Sequence, residues 1–408
     1  MQADWPTLFC DELVYLANTK RKYLKQDGQL NTQNTFFISS DVYRKVAFGK
    51  LHPLSGKRVS AVIDLCFAMG WLNQDMISNS EAASFETLSQ FHDPDYIRAL
   101  RQSDISGIVE KDIREKYKFG TMENPLFKGL YERAATTVGG SQLAAKKVES
   151  GGVAYHPWGG THHGRTDRAS GFCYFNDPVF AILELLDQGL TRVAYVDLDA
   201  HHGDGVQDAL YNNQKVWTFS IHEENRWPHT GAINDHGGGR SLNIPVPIGL
   251  NDTEFKHLLN ETIYPKIQEI DAEAIVITLG ADGLAGDPLS KMDLSNGALW
   301  DAALHLITLS PRTVILGGGG YNPWTTIRCW SGLWGRIAGC DVDVSLNEKG
   351  RAVLSALESD LIDEDEIEDI WLTRIMDPER SGVVRPEIVE RAKKCCMSLP
   401  QAESKLTL

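Results

Sequence analysis

From residue 153 onward the chain repeats one rhythm: an apolar run, a polar loop, then a helical stretch. Residues 193–198, 216–221, 274–279 and 313–316 are continuous apolar runs. Such runs suit strands covered on both faces, the pattern of a parallel sheet with helices on either side. Shorter runs at 36–38 and 153–155 predict two more strands. Apolar residues at helical spacing predict helices over 59–69, 129–148, 174–186, 255–270 and 299–309. The fold class is therefore α/β, and no internal repeat interrupts it.

The two ends read differently. Residues 1–34 are polar and rich in Gln, Asn and Gly towards their end, and are taken as an N-terminal extension. The stretch 51–58 is a loop. Residues 35–340 hold the strand–loop–helix rhythm and form the core domain. Residues 341–408 are acidic over 358–369 and basic over 385–394, and are expected as a helical segment packed on that same domain. A chain of 408 residues is long enough for one large α/β domain.

One strand runs straight into ionisable residues: Tyr195-Val196-Asp197-Leu198-Asp199-Ala200-His201-His202-Gly203-Asp204-Gly205. Side chains at i, i+2 and i+4 of a strand share a face, which aligns Asp197, Asp199 and His201. In open parallel sheets the carboxyl ends of the strands are where ligands bind. A cluster this polar is costly to desolvate without partners. Three more strand ends carry polar residues. His156-Pro157-Trp158-Gly159-Gly160-Thr161-His162-His163-Gly164 follows one, Gly280-Ala281-Asp282-Gly283 another, and Gly317-Gly318-Gly319-Gly320-Tyr321-Asn322 the last.

The combination has a chemical logic. Asp199, His201 and Asp282 make a three-ligand oxygen and nitrogen set, and a catalytic zinc site keeps three protein ligands and an open position. His162 and His163 can move protons. Asp197 and Asp204 can orient those histidines. Tyr321, on a glycine run, can donate to a developing oxyanion. This is equipment for metal-assisted hydrolysis of an amide. Phosphate binding by the glycine runs fails on spacing: neither a dinucleotide fingerprint nor a Gly-Lys-Ser/Thr loop is present.

Composition narrows the setting. The formal net charge of −15 argues against nucleic acid as a partner. No apolar run is long enough to span a membrane, and residues 1–10 do not read as a secretory signal. The seven cysteines are scattered, without a Cys-x-x-Cys pair, and predict reduced thiols in a cytoplasmic protein. Cys173 reads as a packed thiol, not a nucleophile.

These residues resemble the histone deacetylase superfamily. The segments that carry the likeness are Gly159-Gly160-Thr161-His162-His163, Ala169-Ser170-Gly171-Phe172-Cys173-Tyr174-Phe175-Asn176-Asp177, 195–205, 279–288 and 317–322, in the family's order. Residues 119–132 are similar to the bacterial acetoin-utilisation branch, itself similar to class I deacetylases, and Asp204 agrees with class I. The likeness implies the arginase/deacetylase fold, with about eight parallel strands and helices on both faces. It implies zinc on Asp199, His201 and Asp282, with iron(II) as the other candidate metal. It implies His163 as general base held by Asp204, His162 as electrostatic partner held by Asp197, and Tyr321 opposite the metal. It further implies a structural potassium ion on Asp197, Asp199, His201, Ser220 and Ile221. Phe172 and Trp227 would flank a tunnel, the Gly171 carbonyl would accept from the scissile amide, and Arg58 would stand near an internal acetate pocket.

Three departures from the family stand out. The segment Phe91-His92-Asp93-Pro94-Asp95-Tyr96 places Pro94 where a peptide-gripping aspartate is expected, which leaves Asp95, or Asp93, for that duty. Thr161 replaces an aromatic residue and predicts a roomier inner pocket. A shortened loop after Gly239 puts a second monovalent-cation site in doubt. The activity implied is removal of an acyl group, foremost acetyl, from an amine such as an acyl-lysine side chain. A deacylase of small N-acylated amines, for example acetylpolyamines, is the alternative. A catalytically idle binding protein and a two-metal ureohydrolase are the rivals of other kinds. A homo-oligomer is compatible with all of them.

Overall fold

The computed structural model describes residues 34–45, 48, 52–54 and 58–398. Most of the expected extension 1–34, most of the 51–57 loop and the tail after Ser398 lie outside the described residues. Eight strands form one sheet: β1 (Thr35–Ser39), β2 (Ile77–Asn79), β3 (Gly152–His156), β4 (Val193–Asp197), β5 (Val216–Glu223), β6 (Ser241–Val246), β7 (Ala274–Thr278) and β8 (Arg312–Leu316). Their order is β2-β1-β3-β8-β7-β4-β5-β6, and every pair is parallel.

The continuous apolar runs are explained by burial on both sides. Val196, Ile277 and Ile315 point into one apolar cluster, and Tyr195, Val276 and Val314 into the other. The register sets Asp197, at the end of β4, opposite Ser220 of β5 and Thr278 of β7. β2 and β6 escaped the sequence reading for a physical reason. They are the edge strands, so they need no double-sided apolar run. β6 also carries Pro245, which an edge strand tolerates.

Helices cover both faces: α1 (Arg58–Ala68), α2 (Pro94–Ser106), α3 (Leu130–Lys147), α4 (Asp177–Asp187), α5 (Asp204–Ala209), α6 (Asp252–Leu258), α7 (Tyr264–Glu269), α8 (Asn296–Ile307), α9 (Pro323–Ile337) and α10 (Pro386–Ser398). The single helix expected over 255–270 is interrupted by a π-helical turn, Leu259–Ile263. Pro265 lacks the N–H that the Glu261 carbonyl would otherwise accept from, and the Cys396 thiol donates to that carbonyl at 3.0 Å. α4 begins three residues later than expected. Ser170 and Cys173 exchange backbone hydrogen bonds before it, and the Asn176 side chain caps it at the Val179 N–H.

Residues 341–398 pack on this same body. α10 packs on β6 and α6. Asn296, at the start of α8, bonds to the backbone of Ile375 and Asp377. Arg328 of α9 is wholly buried, donates through Nε to the Arg374 carbonyl at 2.7 Å and pairs with Asp377 at 2.7 Å. A buried guanidinium that loses its carboxylate is strongly destabilising. Asp377→Asn is therefore expected to lower the unfolding free energy by about 3–5 kcal/mol, read from denaturant melts. A loss below about 1 kcal/mol would mean that this pair does not anchor the segment.

Candidate metal centre and active site

Four neighbouring strands, β3, β8, β7 and β4, deliver the polar segments to one edge of the sheet. Because all are parallel, their carboxyl ends coincide, and the loops that follow them meet. The loop after β4 brings Asp199 and His201, the loop after β7 brings Asp282, the loop after β3 brings His162 and His163, and the loop after β8 brings Tyr321.

Asp199, His201 and Asp282 offer ligand atoms that all lie within 4.8 Å of one another, and all three are buried. His201 Nδ1 is 2.9 Å from Asp282 Oδ2 and 3.2 Å from Asp199 Oδ1. The remaining oxygens are aimed by backbone donors: Gly319 N–H to Asp199 Oδ2 at 2.6 Å and Ala200 N–H to Asp282 Oδ1 at 3.0 Å. A Cβ at Gly319 would collide with the Asp282 carboxylate, and one at Gly280 with Asp199, so glycine is what lets the loops close on the two acids. Burial and then the charge of Asp199 push the Asp282 carboxyl up to about 6. Burial opposes a charge on His201, but hydrogen bonds to Asp199 and Asp282 outweigh it and lift the imidazole to about 10. Two carboxylates facing one another across an imidazole, with backbone N–H groups aiming their other oxygens, fit a divalent cation.

Two His–Asp pairs flank this cluster. His162 Nδ1 is 2.7 Å from Asp197 Oδ2, which also accepts from the Tyr195 hydroxyl at 2.7 Å. His163 Nδ1 is 2.7 Å from Asp204 Oδ1, which also accepts from the Gly205 N–H at 2.8 Å. The two rings are 3.9 Å apart, centre to centre. They titrate in opposite directions. Burial opposes charge on His162, yet Asp197 and Asp199 lift it to about 9. Burial and the neighbouring His162 push His163 down to about 3, against the pull of Asp204. Of the two rings, His162 is therefore the one favoured to carry a proton and His163 the one favoured to be neutral.

The tunnel is built from backbone as much as from rings. Gly171 has φ +53°, and a Cβ there would collide with Trp227 and His163. Phe172 follows with φ +66°, its N–H held by Asn124 Oδ1 at 2.9 Å. The Phe172 and Tyr321 rings are 5.9 Å apart, and the Trp227 and His163 rings 4.5 Å. The Gly171 carbonyl accepts from the Cys173 thiol at 3.2 Å, and burial raises that thiol far above its usual range. Tyr321 is held through its N–H by Asp287 at 2.7 Å. Ser220 lies beside Asp197 in the register and bonds to His222 at 2.9 Å.

Two sequence expectations change. Asp95 does not line the tunnel mouth: it is exposed, pairs with Arg98 at 2.7 Å and starts α2. Asp93 caps that helix at the N–H groups of Asp95 and Tyr96, and Pro94 takes the first-turn position that needs no N–H. The Asp-Pro-Asp segment is a helix start. A carboxylate that does line this pocket is Glu123, whose Oε1 accepts from the Gly171 N–H at 2.7 Å. Sequence reasoning passed over it although residues 119–132 were already part of the likeness. Thr161 also does more than vacate space. Its hydroxyl bonds to the Phe175 carbonyl at 2.6 Å and to Asp177, a buried carboxylate that also takes the N–H groups of Gly160 and Thr161. The cavity does continue inward past Thr161 and Trp158 to Tyr43 and Arg133. The Arg58 side chain lies outside the described residues.

Comparison with known proteins places the chain in a family. The family model described as histone deacetylase domain matches residues 52–337. The chain is 35% identical over 292 residues to histone deacetylase 8 of Xenopus tropicalis, covering 69% of this chain and 78% of that one. It is 34% identical over 323 residues to the acetoin utilization protein AcuC of Bacillus subtilis (strain 168), covering 76% and 83%. Among solved structures, a histone deacetylase homologue from Aquifex aeolicus superposes with a TM-score of 0.83 at 35% identity, over 88% of this chain and 99% of that one. A second such structure, of a homologue complexed with SAHA, superposes equally well. The eight-stranded parallel sheet is the arginase/deacetylase fold, and the chain belongs to the histone deacetylase family of deacetylase hydrolases.

Proposed function

We propose that the chain is a metal-dependent amidohydrolase that removes an acyl group, foremost acetyl, from the side chain of an acyl-lysine in a peptide or protein. The observation that carries this reading is a buried Asp199–His201–Asp282 cluster beside two histidines, each tied through Nδ1 to its own carboxylate. When bound there, zinc, or iron(II), would bring water toward a neutral pKa and polarise the acyl carbonyl.

The chain's own residues supply the rest. His163 binds Asp204 through Nδ1, so Nε2 is the nitrogen left to take the proton of the attacking water. The same nitrogen then returns the proton to the leaving amine. The water oxygen bonds to the acyl carbon, the carbon–nitrogen bond breaks, and an amine and a carboxylate leave. His162, positively charged, stabilises the negative charge that develops nearby. Tyr321 donates its hydroxyl to the oxyanion. Phe172 and Trp227 hold the apolar stem, and the Gly171 carbonyl accepts the amide N–H. Asp197, Asp199 and Ser220, with the backbone of His201 and Ile221, are proposed as a potassium site that braces the acidic loop.

Glu123 at the mouth suits either an N–H of a peptide backbone or the ammonium of a small amine. It therefore also supports deacylation of an acetylpolyamine. An assay of acetyl-lysine peptides beside acetylpolyamines, with the metal-replete protein, separates the two substrates.

Two outcomes are expected of variants. Asp282→Ala should lose bound metal, and with it the rise in Tm that metal gives the wild type, because only the native fold presents the three ligands together. Unaltered zinc affinity would remove Asp282 from the ligand set. Tyr321→Phe keeps the ring and deletes one donor, so kcat should fall by about 10²–10³ with a smaller change in KM. Wild-type kcat in that variant would show that Tyr321 merely packs.

A further inference from the structure

The two His–Asp pairs differ in what holds the carboxylate. Asp197 leans on the Tyr195 hydroxyl and the Asp199 N–H, and among the described residues no Arg or Lys pairs with it. Asp204 is gripped by Arg165. One terminal guanidinium nitrogen, Nη2, bonds to Asp204 Oδ2. The other, Nη1, bonds to Asp208 Oδ2 and approaches the Asp204 carbonyl at 3.5 Å. Oδ1 is left to His163 and the Gly205 N–H. Each oxygen of Asp204 thus has one assigned side: imidazole within, guanidinium without.

Arg165 is held for this duty. Its side chain is 16% exposed, and its Nε is buried without a hydrogen-bond partner, a cost accepted to aim the two terminal nitrogens. Its carbonyl accepts from His92 Nδ1 at 2.9 Å, and its N–H donates to the Arg168 carbonyl at 3.1 Å. His92 is buried and braced on its other nitrogen by the Asn176 N–H at 3.1 Å. The base and the residue that grips its carboxylate therefore share one rigid loop, two positions apart.

We propose that Arg165 is a positioning residue for the general base. Its Nη2 holds Asp204 Oδ2 while Nη1, anchored on Asp208, lies near the Asp204 carbonyl, and this fixes the Asp204 carboxylate in the plane where Oδ1 meets His163 Nδ1, which turns Nε2 toward the reacting water. A guanidinium fork does this where an ammonium, a point charge, does not. The proposal rests on the reading of His163 as base.

The test compares Arg165→Gln, Arg165→Lys and Asp208→Asn in the full-length, metal-replete enzyme, with kcat, KM, metal content and Tm measured for each. Asp208 is mostly exposed and ties Arg165 only from outside, so its variant controls for a mere tether. Arg165→Gln is expected to lose about 10-fold to 100-fold in kcat, the scale for removing an orienting partner, with KM changed less than about two-fold and metal retained. Arg165→Lys should fall between it and the wild type, and Asp208→Asn should keep kcat within about two-fold of wild type. Wild-type kcat in Arg165→Gln or in Arg165→Lys overturns the proposal, and so does an equal loss of kcat in Arg165→Gln and Asp208→Asn. If Arg165→Gln does not fold, Arg165→Lys decides alone: lowered kcat at unchanged KM supports the role, and wild-type kcat overturns it. Full turnover in His163→Ala would instead sink the base reading itself, whatever Arg165 does.

Discussion

Asp199 and Asp282 are two carboxylates buried within hydrogen-bonding reach of one imidazole, and the rest of the site is arranged around the cost of keeping them there. Charges taken out of water are tolerated only when paired and hydrogen-bonded. Here the backbone does much of the pairing: the Gly319 and Ala200 N–H groups each take one oxygen. That requires loops from three different strands to close within contact distance, which glycine permits at positions 280 and 319. It also requires the strands to end together, which only parallel neighbours do. The sheet order, the glycine runs and the acidic cluster are thus one design. Two carboxylates and an imidazole converging in this way are a donor set that suits a divalent cation.

The proton chemistry depends on a second asymmetry. Adjacent histidines, each with a carboxylate on Nδ1, would behave alike if their surroundings were alike. They are not. His162 lies 3.8 Å from Asp199 as well as against Asp197, which raises its proton affinity despite burial. Burial first, and then the neighbouring His162, push His163 the other way. The guanidinium of Arg165 on the far side of Asp204 belongs to the same asymmetry, because it takes the carboxylate oxygen turned away from the imidazole, where Asp197 has the Asp199 N–H.

Much of this was legible in the sequence because the signals were strong and local. The central strands are buried on both faces and read as unbroken apolar runs. The candidate metal ligands follow those runs closely, although the strand itself ends at Asp197 and Asp199 and His201 stand in the loop after it. The edge strands β2 and β6 were missed because an edge does not need that pattern. Asp95 was misplaced because an Asp-Pro-Asp segment has two meanings, and capping a helix is the one the chain uses. Glu123 and Arg165 could not be found from spacing. Each acts through a contact made far along the chain, Glu123 on Gly171 and Arg165 on Asp204, and only the closed loops bring those partners together.

The proposed mechanism divides metal binding and proton transfer between separate residues at the carboxyl ends of the central strands. The most direct measurement is metal content and single-turnover rate together for His162→Ala and His163→Ala. Neither histidine belongs to the ligand cluster, so both variants should bind the metal as the wild type does. Turnover should be nearly abolished in His163→Ala and reduced less in His162→Ala. Loss of metal in step with activity in His163→Ala would contradict the division, since it would make the base a ligand.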